Sequence, residues 1–117
     1  MARLALFALL TIAGAAHAQS CLDAALTNEA FRDCMQAEIL PLESKVVHLT
    51  NALRAKERGL PGQVAAIDRA ADAWNERRNR QCTLEAERAG GELPAKRAFG
   101  NCAKRELLQR IRELEAL

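Results

Sequence analysis

The sequence predicts an all-α fold, a three-helix up-down-up bundle closed by two disulfides. Three observations predict it. Ala, Leu, Glu and Arg dominate, Tyr is absent and β-branched residues are few, which is the composition of helices rather than sheets. Apolar residues recur every three or four positions through most of the chain, the period of a helix face. Two breaks, Gly59-Leu60-Pro61-Gly62 and Gly90-Gly91, divide that pattern into three stretches.

The first 18 residues read as a targeting segment. Arg3 supplies a positive start, and Leu4 to Gly14 is an apolar run too short for a bilayer, which needs ~20 such residues. Ala16-His17-Ala18 reads as an A-x-A cleavage site. The expected division is therefore a signal peptide over 1–18 and a single helical domain over 19–117 beginning at Gln19. A lipid-attachment site places an aliphatic residue three positions before its cysteine and a small one two before. Ahead of Cys21 those positions hold Ala18 and Gln19, so the expectation is a soluble periplasmic or secreted protein, with no membrane insertion after cleavage.

The first helix is expected to start at Thr27 or Asn28, either of which caps a helix. Met35, Ile39, Leu42, Val46, Leu49 and Leu53 step by four and three along it, a seam for antiparallel packing. Pro41 falls inside this seam, where its missing N–H and its clash with the Ala37 carbonyl predict a kink. The second helix is expected from about Gly62 to Ala89, with Val64, Ile67, Ala71, Trp74, Arg78 and Cys82 as its inward stripe. The third starts near Pro94 and presents Phe99, Cys102, Leu107 or Leu108, Ile111 and Leu114. Gly100-Asn101 reads as a weak spot in it, costing about 1 kcal/mol against Ala.

All four cysteines follow the targeting segment, and an even number in an oxidising compartment reads as two disulfides. Folding the chain back about residue 92 puts ten helical residues, ~15 Å, on each side between the turn and positions 82 and 102. Cys82–Cys102 is therefore the first pairing expected, leaving Cys21–Cys34. The alternative, Cys34–Cys82 with Cys21–Cys102, stays open because reflection about the first turn brings position 34 near 85. There is no C-x-x-C pair and one histidine, His48, in the mature part, so no zinc ligand set or other cofactor site is expected.

Function classes narrow by exclusion. The formal charge of +2 falls to +1 without Arg3, and mixed charges of this balance build no field for nucleic acid or an anionic membrane. Arg77-Arg78 and Arg80 are interrupted by Glu76, Glu85 and Glu87, which reads as a solvated helix face. His48 reads as a partly buried histidine and not a catalytic base. Gly90-Gly91-Glu92 closes one helix instead of opening another with Lys and Ser/Thr, so it is no phosphate loop. Trp74, Arg78 and Cys82 share one stripe, with Trp74 as core anchor, the Arg78 stem over the indole and its head in water. No enzymatic constellation is present.

Trp74, Arg78, Asn79, Cys82, Gly90, Gly91, Cys102 and Arg110, with the earlier pair Cys21 and Cys34, resemble the lysozyme-inhibitor LprI-like family of small exported bacterial helical proteins. The chain departs from that pattern at Arg77, Asn79 and Glu92. The resemblance implies a non-catalytic protein that blocks a lysozyme-type cell-wall hydrolase by protein–protein contact. The Gly90-Gly91-Glu92 turn is the candidate interface, its carboxylate facing a cationic cleft rim. The alternative is a structural or adaptor domain of the bacterial envelope.

Overall fold

A computed structural model describes residues 20–117. The expected targeting segment, 1–18, and the cleavage before Gln19 lie outside the described residues. The elements are α1 (Cys21–Ala24), α2 (Asn28–Cys34), a π-helical turn (Met35–Ile39), α3 (Leu40–Lys56), α4 (Pro61–Glu87) and α5 (Glu92–Glu115). No strand occurs among the described residues. The fold is the all-α bundle that the sequence predicts, with α1 as a short addition before the three long helical rods.

Local chemistry accounts for the boundaries. Ser20 caps α1 by accepting from the Asp23 N–H at 3.3 Å, and Thr27 caps α2 by accepting from the Ala30 N–H at 3.1 Å. Such caps satisfy amides that the first turn of a helix leaves unpaired. Pro61 stands in the first turn of α4, where its fixed φ suits the helix and its missing N–H loses nothing. Helix α5 begins two residues before Pro94 and α4 ends two before Ala89, small shifts from the expected limits.

The disturbance expected at Pro41 takes the form of the π-helical turn just before it. α2, this turn and α3 form one unbroken rod, in which the Leu40 N–H reaches the Met35 carbonyl, five residues back instead of four. Pro41 has no N–H for the Ala37 carbonyl, and its ring would crowd that carbonyl in a regular turn. A widened turn accommodates both defects and lets the helix continue.

Contacts between the rods fix their directions. Lys96 reaches Asn28 at 3.2 Å, Lys104 reaches Glu38 at 3.0 Å and Lys45 reaches Glu115 at 3.1 Å. Residue numbers rise together in these pairs, so α5 runs parallel to the first rod. They run oppositely in Glu43–Arg78 and Arg54–Asp68, and again in Trp74–Arg110 and Cys82–Cys102, so α4 is antiparallel to both. This is the up-down-up order. Because α5 ends level with Lys45, the rest of α3 and the first turns of α4 continue past it as a two-helix hairpin.

Cys82 and Cys102 are bridged with Cα atoms 5.4 Å apart, and Cys21 and Cys34 with Cα atoms 5.8 Å apart. The crossed pairing is not formed. The core gathers Leu22, Cys34, Ile39, Trp74 and Leu107, with Phe31, Met35, Leu42 and Val46 packed against them. Of the two candidate leucines, Leu107 is buried and Leu108 exposed. His48 is also exposed, not partly buried as expected, because it lies on the outer side of the α3 seam.

The Gly100-Asn101 step is the seat of α1 and not a weak spot. A Cβ at Gly100 would lie 3.1 Å from a Leu22 methyl and 3.2 Å from the Met35 sulfur. Asn101 donates to Asp23 at 2.7 Å, and Arg97 donates to the Ala25 carbonyl at 3.0 Å. The propensity cost of glycine is thus offset by a close helix-to-helix approach. Gly100→Val is expected to destabilise the domain by about 1–3 kcal/mol, the usual cost of overfilling a packed contact. Urea unfolding of the oxidised protein measures it; a variant as stable as the parent would contradict this packing.

Candidate functional site

Two places on the bundle carry the residues singled out by sequence. The first is the turn between α4 and α5. Gly90 (φ 65°) and Gly91 (φ 142°) both adopt positive φ, a region that side-chain-bearing residues avoid. The reversal therefore needs glycine at both positions. Glu92 follows as the first residue of α5, where a carboxylate complements the helix dipole. Its side chain is 79% exposed and lies 3.3 Å from Lys96. The Cys82–Cys102 bridge ties the two helices together behind the turn.

The second place is a cleft of about 310 Å³ where α3, α4 and α5 meet. Trp74 forms its floor and is only 6% exposed. Arg78 lies one turn further along α4, with its guanidinium carbon 4.9 Å from the indole centroid. The sequence suggests that the head of Arg78 stands in water, but its side chain is largely withdrawn from solvent. It points to α3, where Glu43 stands 3.7 Å away. From α5, Arg110 brings a second guanidinium to the same indole at 5.8 Å. Thr50, also lining the cleft, is buried and satisfied, its hydroxyl donating to the Val46 carbonyl at 2.8 Å.

Cys21, Cys34 and Glu38 come within 4.8 Å of one another. Both sulfurs are committed to a disulfide and Glu38 to Lys104, so the group offers a metal no thiolate.

A model of the family described as Lysozyme inhibitor LprI matches residues 21–114. The chain belongs to this family. The LprI match begins at the first disulfide cysteine and ends in the last turn of α5, so it takes in both the turn and the cleft. Comparison with curated proteins and with solved structures found no match. LprI is a family of inhibitors, in keeping with the absence of an enzymatic constellation from the sequence.

Geometry unites residues of the LprI-like pattern that sequence treats separately. Trp74, Arg78 and Arg110 meet in the cleft, whereas Gly90 and Gly91 lie further along α4 and beyond its end. Sequence reasoning missed Glu43 and the role of Arg110. The available signal was an arginine inside the apolar stripe of α5, three residues after Leu107 and four before Leu114, as Arg78 is within the stripe of α4.

Proposed function

We propose that this protein is exported, loses residues 1–18, and binds a lysozyme-type cell-wall hydrolase so as to block its cleft. The observation that carries this reading is the match to the lysozyme-inhibitor family across residues 21–114. Two disulfides with no free cysteine among the described residues support an extracellular or periplasmic setting. Among the described residues no helix is long and apolar enough to cross a membrane.

The Gly90-Gly91-Glu92 turn is the inserting element in this reading. An inhibitor of a groove needs a narrow protrusion already held in its bound shape, because ordering a loop on binding costs affinity. Two positive-φ glycines and a disulfide behind them supply that rigidity, and Glu92 supplies an accessible negative charge.

The purified, oxidised protein is expected to slow lysis of a cell-wall suspension in a saturable, dose-dependent way. Salt should weaken the effect only modestly, since the mature chain has little net charge to steer association. Glu92→Lys is expected to raise the half-inhibitory concentration about tenfold, equivalent to ~1.4 kcal/mol. Glu115→Gln, at the far end of α5, is expected to leave it unchanged. A folded, oxidised sample that leaves several lysozyme classes untouched at high concentration would overturn the reading.

A further inference from the structure

We propose that the cleft over Trp74 is a binding site for a small monocarboxylate with a short apolar body, held between Arg78 and Arg110. This assignment is independent of the inhibitor reading and concerns a different part of the bundle from the Gly90-Gly91 turn.

The argument begins with hydrogen bonding. The side chains of Arg78 and Arg110 are only 16% and 17% exposed, yet their guanidinium groups are poorly matched. Arg78 has the Asn79 amide at 3.5 Å and Glu43 at 3.7 Å, and Arg110 has Glu113 at 3.4 Å. Contacts this long are at or beyond the limit of a hydrogen bond. Arginines elsewhere do better: Arg105 meets Glu85 at 2.7 Å and Arg97 meets the Ala25 carbonyl at 3.0 Å. Among the described residues no buried side-chain nitrogen or oxygen lacks a partner, so the remaining donors of Arg78 and Arg110 are not sealed from solvent, and both residues line the cleft.

Electrostatics points the same way. Two cations share one indole, at 4.9 and 5.8 Å from its centroid, and each has one loosely placed carboxylate, Glu43 at 3.7 Å from Arg78 and Glu113 at 3.4 Å from Arg110. A partly desolvated pair of like charges is stabilised by an anion that hydrogen-bonds to both. The planar fork of guanidinium matches the two oxygens of a carboxylate.

The other lining residues set the class. Val46, Val47, Ala71 and Leu107 provide apolar wall for a short aliphatic body. Glu43 and Asp72 line the same cleft, and their charge penalises a dianion such as phosphate more than a monoanion. The indole is too buried to stack on a ring, which disfavours a sugar or nucleobase held by its face. A volume of about 310 Å³ admits a molecule the size of an acylated amino acid.

Trp74 is the only tryptophan in the chain, so its fluorescence reports on this cleft directly. N-acetylleucine titrated into the oxidised protein at constant ionic strength is expected to give a saturable change in emission. Its uncharged methyl ester should give none. Arg110→Gln, checked for folding by circular dichroism, should weaken binding about tenfold, the scale of one charge-assisted hydrogen bond. Glu43→Gln, which removes the internal competitor for Arg78 without touching the core, should tighten it. The proposal is overturned by any one of three results: no saturable response to the acid, an equal response to the ester, or tighter binding of inorganic phosphate than of the acid.

Discussion

Trp74→Ala is expected to lower the unfolding free energy by about 3–5 kcal/mol, the range for truncating a buried large aromatic. The indole touches the core cluster that joins α1, α2, the π-helical turn and α5, so its removal opens a cavity that no single helix can close by shifting. It also takes the aromatic face from beneath two guanidinium groups, leaving like charges over an empty space. Both effects have the same sign. Domains of this size have a total stability of ~5–15 kcal/mol, so the loss is a large fraction of the whole. Urea unfolding followed by far-ultraviolet circular dichroism measures the loss, since the variant has no tryptophan to report. In the parent protein the native emission should be blue-shifted. Red-shifted native emission with an unchanged midpoint in the variant would contradict the burial of this residue.

Removing the Cys82–Cys102 bridge by a double change to Ala is expected to cost about 3 kcal/mol. The bridge closes a loop of sequence separation 20, and cross-links of that span restrict the unfolded chain by roughly this amount. Both cysteines are fully buried, so the lost sulfur contacts add to the cost. The effect should be global, because the bridge ties the last turns of α4 to the middle of α5 and the inward faces of both contribute to the core. Non-reducing peptide mapping of the parent should recover 82 with 102 and 21 with 34. Denaturant midpoints of parent and variant then give the free-energy difference; equal midpoints would show that the bridge does not constrain the unfolded state.

Much of this architecture was legible in the residue order, because the signals involved are local. Thr27 marks a helix start through its side-chain oxygen, and the Gly90-Gly91 reversal follows from a backbone conformation that only glycine adopts easily. The stripe of Val64, Ile67, Ala71, Trp74, Arg78 and Cys82 follows from 3.6 residues per turn. Even the Cys82–Cys102 pairing is local in this sense, since a hairpin of two helices fixes which positions lie opposite. The candidate site was less legible. Arg78 was placed beside Trp74 by spacing, but the partner of its charged head was not, because Glu43 belongs to another helix.

By itself, then, the sequence determined the helices, their breaks, the antiparallel reversals and membership in a family of small inhibitors. Only the tertiary structure decided that Gly100 is a docking floor for Leu22, that Pro41 is accommodated by a π-helical turn and that Arg110 arrives on the indole of Trp74. The physical reason is range. Periodicity, capping and glycine dihedrals act within one or two turns of chain and leave their mark in consecutive residues. The angle at which a third helix closes on the other two is set by side-chain packing across the core, and that packing brings together residues with no spacing in common.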